Sequence, residues 1–267
     1  MFNLWYKIKI MNITIEELLR GKSTVIKGKE FFPTKQYVEP FLEKMSKFTN
    51  DFDVSVVLPS QMTLSKESTD TTYNRVLIQA IMPEDQCIDN HDETIGLLYG
   101  IDVRKPIVSL YRGYLNRACT NLTVFNPIWI RTNELAPETP INFTPLKELM
   151  ELTSDFKIKL ETMKSVTLDR DSKETHVGTW IDNVLRQDID TGFGKVKIST
   201  AHVISAYKKL FLDQESEYFV PQGVDPTLFN VYEAFTQIIT DDKKDIMSKP
   251  YKTLLLSNIL NLPFKNN

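Results

Sequence analysis

The sequence predicts an α+β protein, with an antiparallel or mixed β-sheet in the first half and a helical second half. Three observations predict it. Between residues 51 and 131 the apolar positions alternate or fall in short β-branched runs. From Thr144 onward they recur at helical steps of three, four and seven. Between the two textures lies Thr132 to Phe143, a stretch with two prolines and no pattern, which reads as a linker. The expected organisation is an N-terminal helical segment over 1–50, a β-rich region over 51–131, a linker over 132–143 and a helical region over 144–267. The 267 residues suffice for one integrated domain or for two smaller ones.

Taken in order, Thr14 caps a short helix over Ile15 to Arg20, which Gly21 ends. A second helix is expected over Lys35 to Phe48, with Tyr37, Val38, Phe41, Leu42 and Met45 on one face. Pro40 either kinks it or makes it start at Glu39. Strands follow at Val54 to Leu58, Tyr73 to Met82, Thr94 to Ile101, Pro106 to Tyr111 and Leu122 to Ile130. In the second of these, Val76, Ile78, Ala80 and Met82 share a buried face and Arg75 and Gln79 the opposite one. Pro127 belongs at an edge or bulge of the last.

In the second half Thr144 caps a helix with Pro145 at its first position. Leu146, Leu149, Phe156, Leu160 and Met163 continue the stripe. A helix over Lys173 to Arg186 contains Gly178, at a cost of about 1 kcal/mol relative to alanine. Ser199 or Thr200 caps the next, with Val203, Ile204, Tyr207, Leu210 and Phe211 on its apolar face. Asp225 and Pro226 open another, carrying Leu228, Val231, Tyr232, Phe235, Ile238 and Ile239. Lys252 to Leu260 closes the chain.

Composition narrows the function. Formal net charge is -3 and pI near 5.8. Residues 1–144 hold 16 basic and 17 acidic side chains and residues 145–267 hold 16 and 18, so an electrostatic binding site must be a local patch. Two cysteines, Cys87 and Cys119, make no disulfide framework, which suits a reducing cytoplasm. No apolar run reaches the roughly 18 residues of a membrane span. Met1 to Ile10 is broken by Lys7 and Lys9 and does not read as a signal peptide, and Met11 is an alternative start. A soluble protein of the host-cell cytoplasm is expected.

Motifs for common chemistries are missing. There is no GxxxxGK[ST] loop, no GxGxxG after a strand and no GxSxG elbow, and no cofactor is expected. Gly192 and Gly194 form a lone GxG that reads as a turn. His91, His176 and His202 have no histidine partner four residues on, and no metal site is expected. Asn90-His91-Asp92-Glu93 is the densest polar cluster. It reads either as a solvated turn or as a carboxylate–histidine site.

One segment departs from the neutral background. From Val103 to Asn133 there is no Asp or Glu, yet Arg104, Lys105, Arg112, Arg117 and Arg131 are present, interleaved with Tyr111, Tyr114, Phe125 and Trp129. Guanidinium groups hold phosphates and aromatic rings stack on bases. The candidate nucleic-acid contacts are Arg104, Lys105, Tyr111, Arg112, Tyr114 and Arg117. The alternative is ordinary strand residues divided between two faces, with their charges paired to acids elsewhere.

The segments Asp89-Asn90-His91-Asp92-Glu93-Thr94 and Arg117-Ala118-Cys119-Thr120-Asn121-Leu122, with Asn230-Val231-Tyr232-Glu233-Ala234-Phe235-Thr236 later, resemble the phage/plasmid-like proteins grouped as domain of unknown function 932. The likeness covers roughly residues 50 to 245. It departs from the family pattern at Glu93 and after Asn121, where the family carries glycine. It implies a mobile-element origin and carries over no catalytic residue.

Three functions are therefore expected to compete. One is a non-enzymatic phage or mobile-element accessory protein that binds DNA or a nucleoprotein, in replication or recombination. Another is a protein-interaction module that inhibits a host enzyme or defence system. The third is a cation-dependent hydrolase or nuclease around Asp89, Asp92 and Glu93. The partner is nucleic acid or a host protein, not a membrane, and a homo-oligomer is compatible with all three.

Overall fold

A computed structural model describes residues 15–26, 28–49, 51–58, 73–83, 87–101, 107–117, 121–124, 129–132, 141–151, 155–169, 177–191, 194–242 and 246–259. The fold is mixed α+β with antiparallel sheets; the strands lie mostly in the first half and the helices in the second. The chain forms two compact units that do not follow a cut at 132–143. The first comprises residues 1–114, 126–152 and 243–247; the second comprises 115–125, 153–242 and 248–267.

The first unit begins with α1 (Ile15–Leu19) and a small hairpin of β1 (Thr24–Ile26) and β2 (Lys29–Phe31). Gly28, at φ +77°, turns the hairpin. The expected helix over Lys35 to Phe48 divides. Thr34–Val38 is a π-helical turn that runs into α2 (Glu39–Met45), with Pro40 in the first turn of α2. A proline there removes only an N–H that a first turn leaves unbonded, so Pro40 marks the start of α2 rather than a kink.

The main sheet is antiparallel and runs β3 (Asp53–Val57), β4 (Arg75–Ile81), β5 (His91–Gly100), β6 (Ile107–Asn116), with β8 (Trp129–Thr132) also paired to β6. Register places Val54 opposite Ala80 and Val56 opposite Ile78, then Val76, Ile78 and Ala80 opposite Tyr99, Leu97 and Ile95. Those residues share one face, because strand side chains alternate. They build a core with Leu18, Tyr37, Phe41 and Met45 from the N-terminal helices and with Phe143, Leu146 and Leu149. Leu146 and Leu149 come from α3 (Thr144–Glu151), whose first N–H is bonded by Asn142 Oδ1 at 2.9 Å.

The β4 prediction needs one correction. Gln79, expected on an open face, is buried, as is Leu77 on the same face, so β4 is covered on both faces. The strand expected over Leu122 to Ile130 is also two strands, β7 (Leu122–Val124) and β8, and Pro127 lies outside the described residues.

The second unit holds β7, α4 (Phe156–Ser165), α5 (Val177–Arg186), the hairpin of β9 (Asp188–Asp190) and β10 (Lys195–Lys197), α6 (Thr200–Phe211), α7 (Leu228–Asp241) and α8 (Lys249–Ile259). Gly194 of the GxG directly precedes β10 and its carbonyl accepts from Thr191 N–H at 3.1 Å, while Gly192 lies outside the described residues. Two capping boxes start the long helices. Ser199 pairs with His202 before α6, and Thr227 with Asn230 before α7. The α7 helix packs against α4, α6 and α8, and β7 rests on α7 and α8. Backbone bonds of 2.8 Å from Leu168 to Pro226 and from Leu228 to Val166 tie the end of α4 to the start of α7.

Among the described residues no helix is long and apolar enough to cross a membrane.

Candidate functional site

The acid-free segment folds mainly into β6, and that strand is interior. Tyr111 is fully buried, Tyr114 is 2% exposed and Arg112 is 7% exposed. Tyr111 lies against Gly96, where a Cβ would fall 1.9 Å from its Cζ, and its hydroxyl accepts from Gln79 Nε2 at 3.2 Å. Burial pushes the Tyr111 hydroxyl pKa up, opposed in part by that hydrogen bond. Arg112 Nε meets Glu93 Oε1 at 2.6 Å, and Arg112 Nη1 donates to the Leu149 carbonyl at 3.2 Å.

Tyr111, Arg112 and Tyr114 are therefore not a stacking platform in this conformation. The absence of acids within the segment is balanced by an acid on the neighbouring strand. Of the six candidates, Arg117 is exposed, in the turn that ends β6, and Arg104 and Lys105 lie outside the described residues.

The Asn90-His91-Asp92-Glu93 cluster is a turn leading into a strand. Asp89 and Asn90 have φ of +47° and +63°, and Ile88 and His91 exchange backbone bonds of 2.9 Å across them. Two left-handed central residues make a type I′ hairpin turn, which asparagine and aspartate tolerate. His91 is buried, with Nδ1 donating to the Asp89 carbonyl at 2.8 Å, and Glu93 is engaged by Arg112. Among the described residues no group of three His, Cys, Asp or Glu side chains is placed to hold a metal ion.

Two assemblies were not marked in the sequence. The first is a polar cluster inside the second unit. Asn121 Nδ2 lies within donating distance of Glu233 Oε2 (3.1 Å), the Glu233 carbonyl (3.3 Å) and the Tyr218 hydroxyl (3.2 Å). Asn116 Nδ2 adds a longer contact to Glu233 Oε2 at 3.4 Å. Asn121 and Glu233 are both buried. Beside them Tyr232 shares a hydrogen bond with Ser257 at 3.0 Å, and burial raises its hydroxyl pKa. The Arg117–Leu122 and Asn230–Thr236 segments thus meet through Asn121 and Glu233.

The second assembly is an open groove of about 920 Å³ in the same unit. Ile181, Phe211, Phe219 and Val220 are among its apolar lining, Tyr207 and Leu212 stand at it exposed, and Gln214 and Gln222 supply amides. The α6 face was expected to be core. Only its Ala206 and Leu210 are buried, whereas Ile204 (52% exposed), Tyr207 (48%) and Leu212 (65%), just past its end, are open to solvent. Val224 is 50% exposed, and its N–H donates to the carbonyl of Pro221, a lining residue. The usable signal was the width of the apolar stripe on α6.

Comparison of the chain with models of protein families, with curated proteins and with solved structures finds no match.

Proposed function

We propose that the protein is a protein-interaction module whose contact surface is the groove beside α6. The observation that carries this reading is that Tyr207 and Leu212, large side chains left 48% and 65% exposed, line one concavity together with Ile181, Phe211, Phe219 and Val220. Single exposed apolar residues are ordinary, but a contiguous set rimming a groove marks a binding surface. Among the described residues the lining offers apolar surface and two side-chain amides rather than carboxylates, amines, imidazole or thiols. It suits the burial of a partner's apolar side chains better than acid–base chemistry. In the mobile-element setting that the resemblance implies, the partner is a host protein whose activity the module blocks.

The test compares wild type with Tyr207→Glu and Leu212→Glu in co-purification from host lysate, with thermal melts as the folding control. The expected result is a stoichiometric partner that both variants lose at unchanged melting temperature. Retention of the partner by both variants would remove the groove from the interface. Titration with labelled single- and double-stranded DNA at two salt concentrations separates the nucleic-acid reading. Binding that weakens with salt and is lost in Arg117→Glu would replace the present proposal.

A further inference from the structure

We infer that the groove takes an amphipathic partner segment bearing lysine or arginine beside its apolar anchors; this rests on the protein-interaction reading. The lining is mostly apolar, and the segment that supplies Leu212 and Gln214 to it is acidic. Asp213 sits between the lining residues Leu212 and Gln214, Glu215 follows Gln214, and Glu217 stands two residues before Phe219. All three acids are exposed, and among the described residues none is in an ion pair.

From Ile204 to Tyr218 the chain carries three carboxylates, Asp213, Glu215 and Glu217, against Lys208 and Lys209. Those two lysines lie in the last turn of α6, where helix carbonyls already favour cations. On the α5 side, Asp182 is held by Arg186 at 2.6 Å. The segment that supplies Leu212 and Gln214 to the groove therefore carries three exposed carboxylates, Asp213, Glu215 and Glu217.

Size and polarity fit the same occupant. A groove of about 920 Å³ is large enough for several side chains. Apolar anchors at helical spacing would fill Ile181, Phe211 and Phe219, and flanking cations would meet the acids. A nucleic acid would set phosphates against carboxylates. A second copy docked groove to groove would set the same carboxylates against each other, because such an interface is self-complementary.

The test uses two fluorescein-labelled designed peptides with the same leucine anchors at i, i+3, i+4 and i+7, one with lysine and one with glutamate at the remaining positions. The lysine peptide is expected to bind more tightly, and more weakly as salt rises. Asp213→Asn/Glu215→Gln/Glu217→Gln is expected to weaken it about tenfold, from roughly two- to fivefold per exposed pair, with an unchanged melt. Equal binding of both peptides, or no loss in the triple variant, overturns the charge inference and leaves the groove as an interface. If neither peptide binds, the charge inference and the groove reading fall together. Self-association lost in Leu212→Glu would name a second copy as the occupant and overturn the inference.

Discussion

Arg112→Ala is expected to destabilise the protein by about 3–5 kcal/mol, the usual cost of removing one partner from a buried ion pair. The geometry sets that scale. Arg112 Nε and Glu93 Oε1 are 2.6 Å apart, with side chains only 8% and 12% exposed. The substitution strands a carboxylate that is only 12% exposed and withdraws the donor that Arg112 Nη1 gives the Leu149 carbonyl. Against the 5–15 kcal/mol typical of a folded domain, this is a large share. Urea denaturation followed by circular dichroism reads it as a fall in midpoint at constant slope. The double variant Arg112→Met/Glu93→Leu removes both charges and is expected to recover most of the loss. A loss below about 1 kcal/mol for Arg112→Ala, or a double variant as unstable as the single one, would refute the reasoning. The result also governs how DNA-binding mutants are read: Arg112→Glu would abolish binding by unfolding the sheet, so Arg117→Glu is the informative reversal.

Gly96→Ala is expected to cost roughly 1–3 kcal/mol by driving a methyl group into the Tyr111 ring, and less in a Tyr111→Ala background; additive losses in the double variant would count against the contact. Stability is expected to fall as pH rises above about 10. Burial raises the hydroxyl pKa of Tyr99, Tyr111 and Tyr232 above the unfolded value of 10.0, so the stabilisation is complete below that pH and is lost as pH climbs towards the folded values, by up to about 1.4 kcal/mol per pH unit for each residue. Tyrosinate absorbance that rises with unfolding checks this, and ionisation of all ten tyrosines near pH 10 in the folded state would exclude it. Asn121→Asp sets a second carboxylate 3.1 Å from Glu233 Oε2 and is expected to destabilise by several kcal/mol at neutral pH, with the loss shrinking as pH falls and one carboxyl takes a proton; a variant whose pH–stability curve parallels wild type would show that the two groups do not interact.

The fold class and most elements were legible because they rest on local periodicity. The alternation at Val76, Ile78 and Ala80, the cap at Ser199 and the stripe through Leu228, Val231, Tyr232 and Phe235 each state their structure within a few residues. What was illegible depends on residues far apart in the chain. Gln79 looks like a surface residue until Tyr111, 32 positions on, is seen to bond it. Arg112 looks like a phosphate ligand until Glu93 is brought opposite it by pairing between strands. A run without acids reports only the absence of local partners, and a sheet supplies partners from its neighbouring strand.

The groove raises the converse problem, a feature written locally but assigned to the wrong role. At about 100° per residue, Ala206, Leu210, Val203, Tyr207, Phe211 and Ile204 follow one another around α6 over an arc of about 160°. Ala206 and Leu210 are buried at one edge, whereas the rest of the arc is half-buried at Val203 and Phe211 and exposed at Tyr207 and, at the far edge, Ile204. A single helix contact buries a stripe on the order of 100° wide. An apolar arc wider than one contact can bury must present its surplus to something other than the core of its own unit. In α6 that surplus adjoins Leu212, the lining residue beside the acid-bearing turn. An over-wide stripe that ends in a run of acids is therefore a sequence signal for an interface, and it separates α6 from α7, whose Leu228, Val231, Tyr232, Phe235 and Ile239 are all buried.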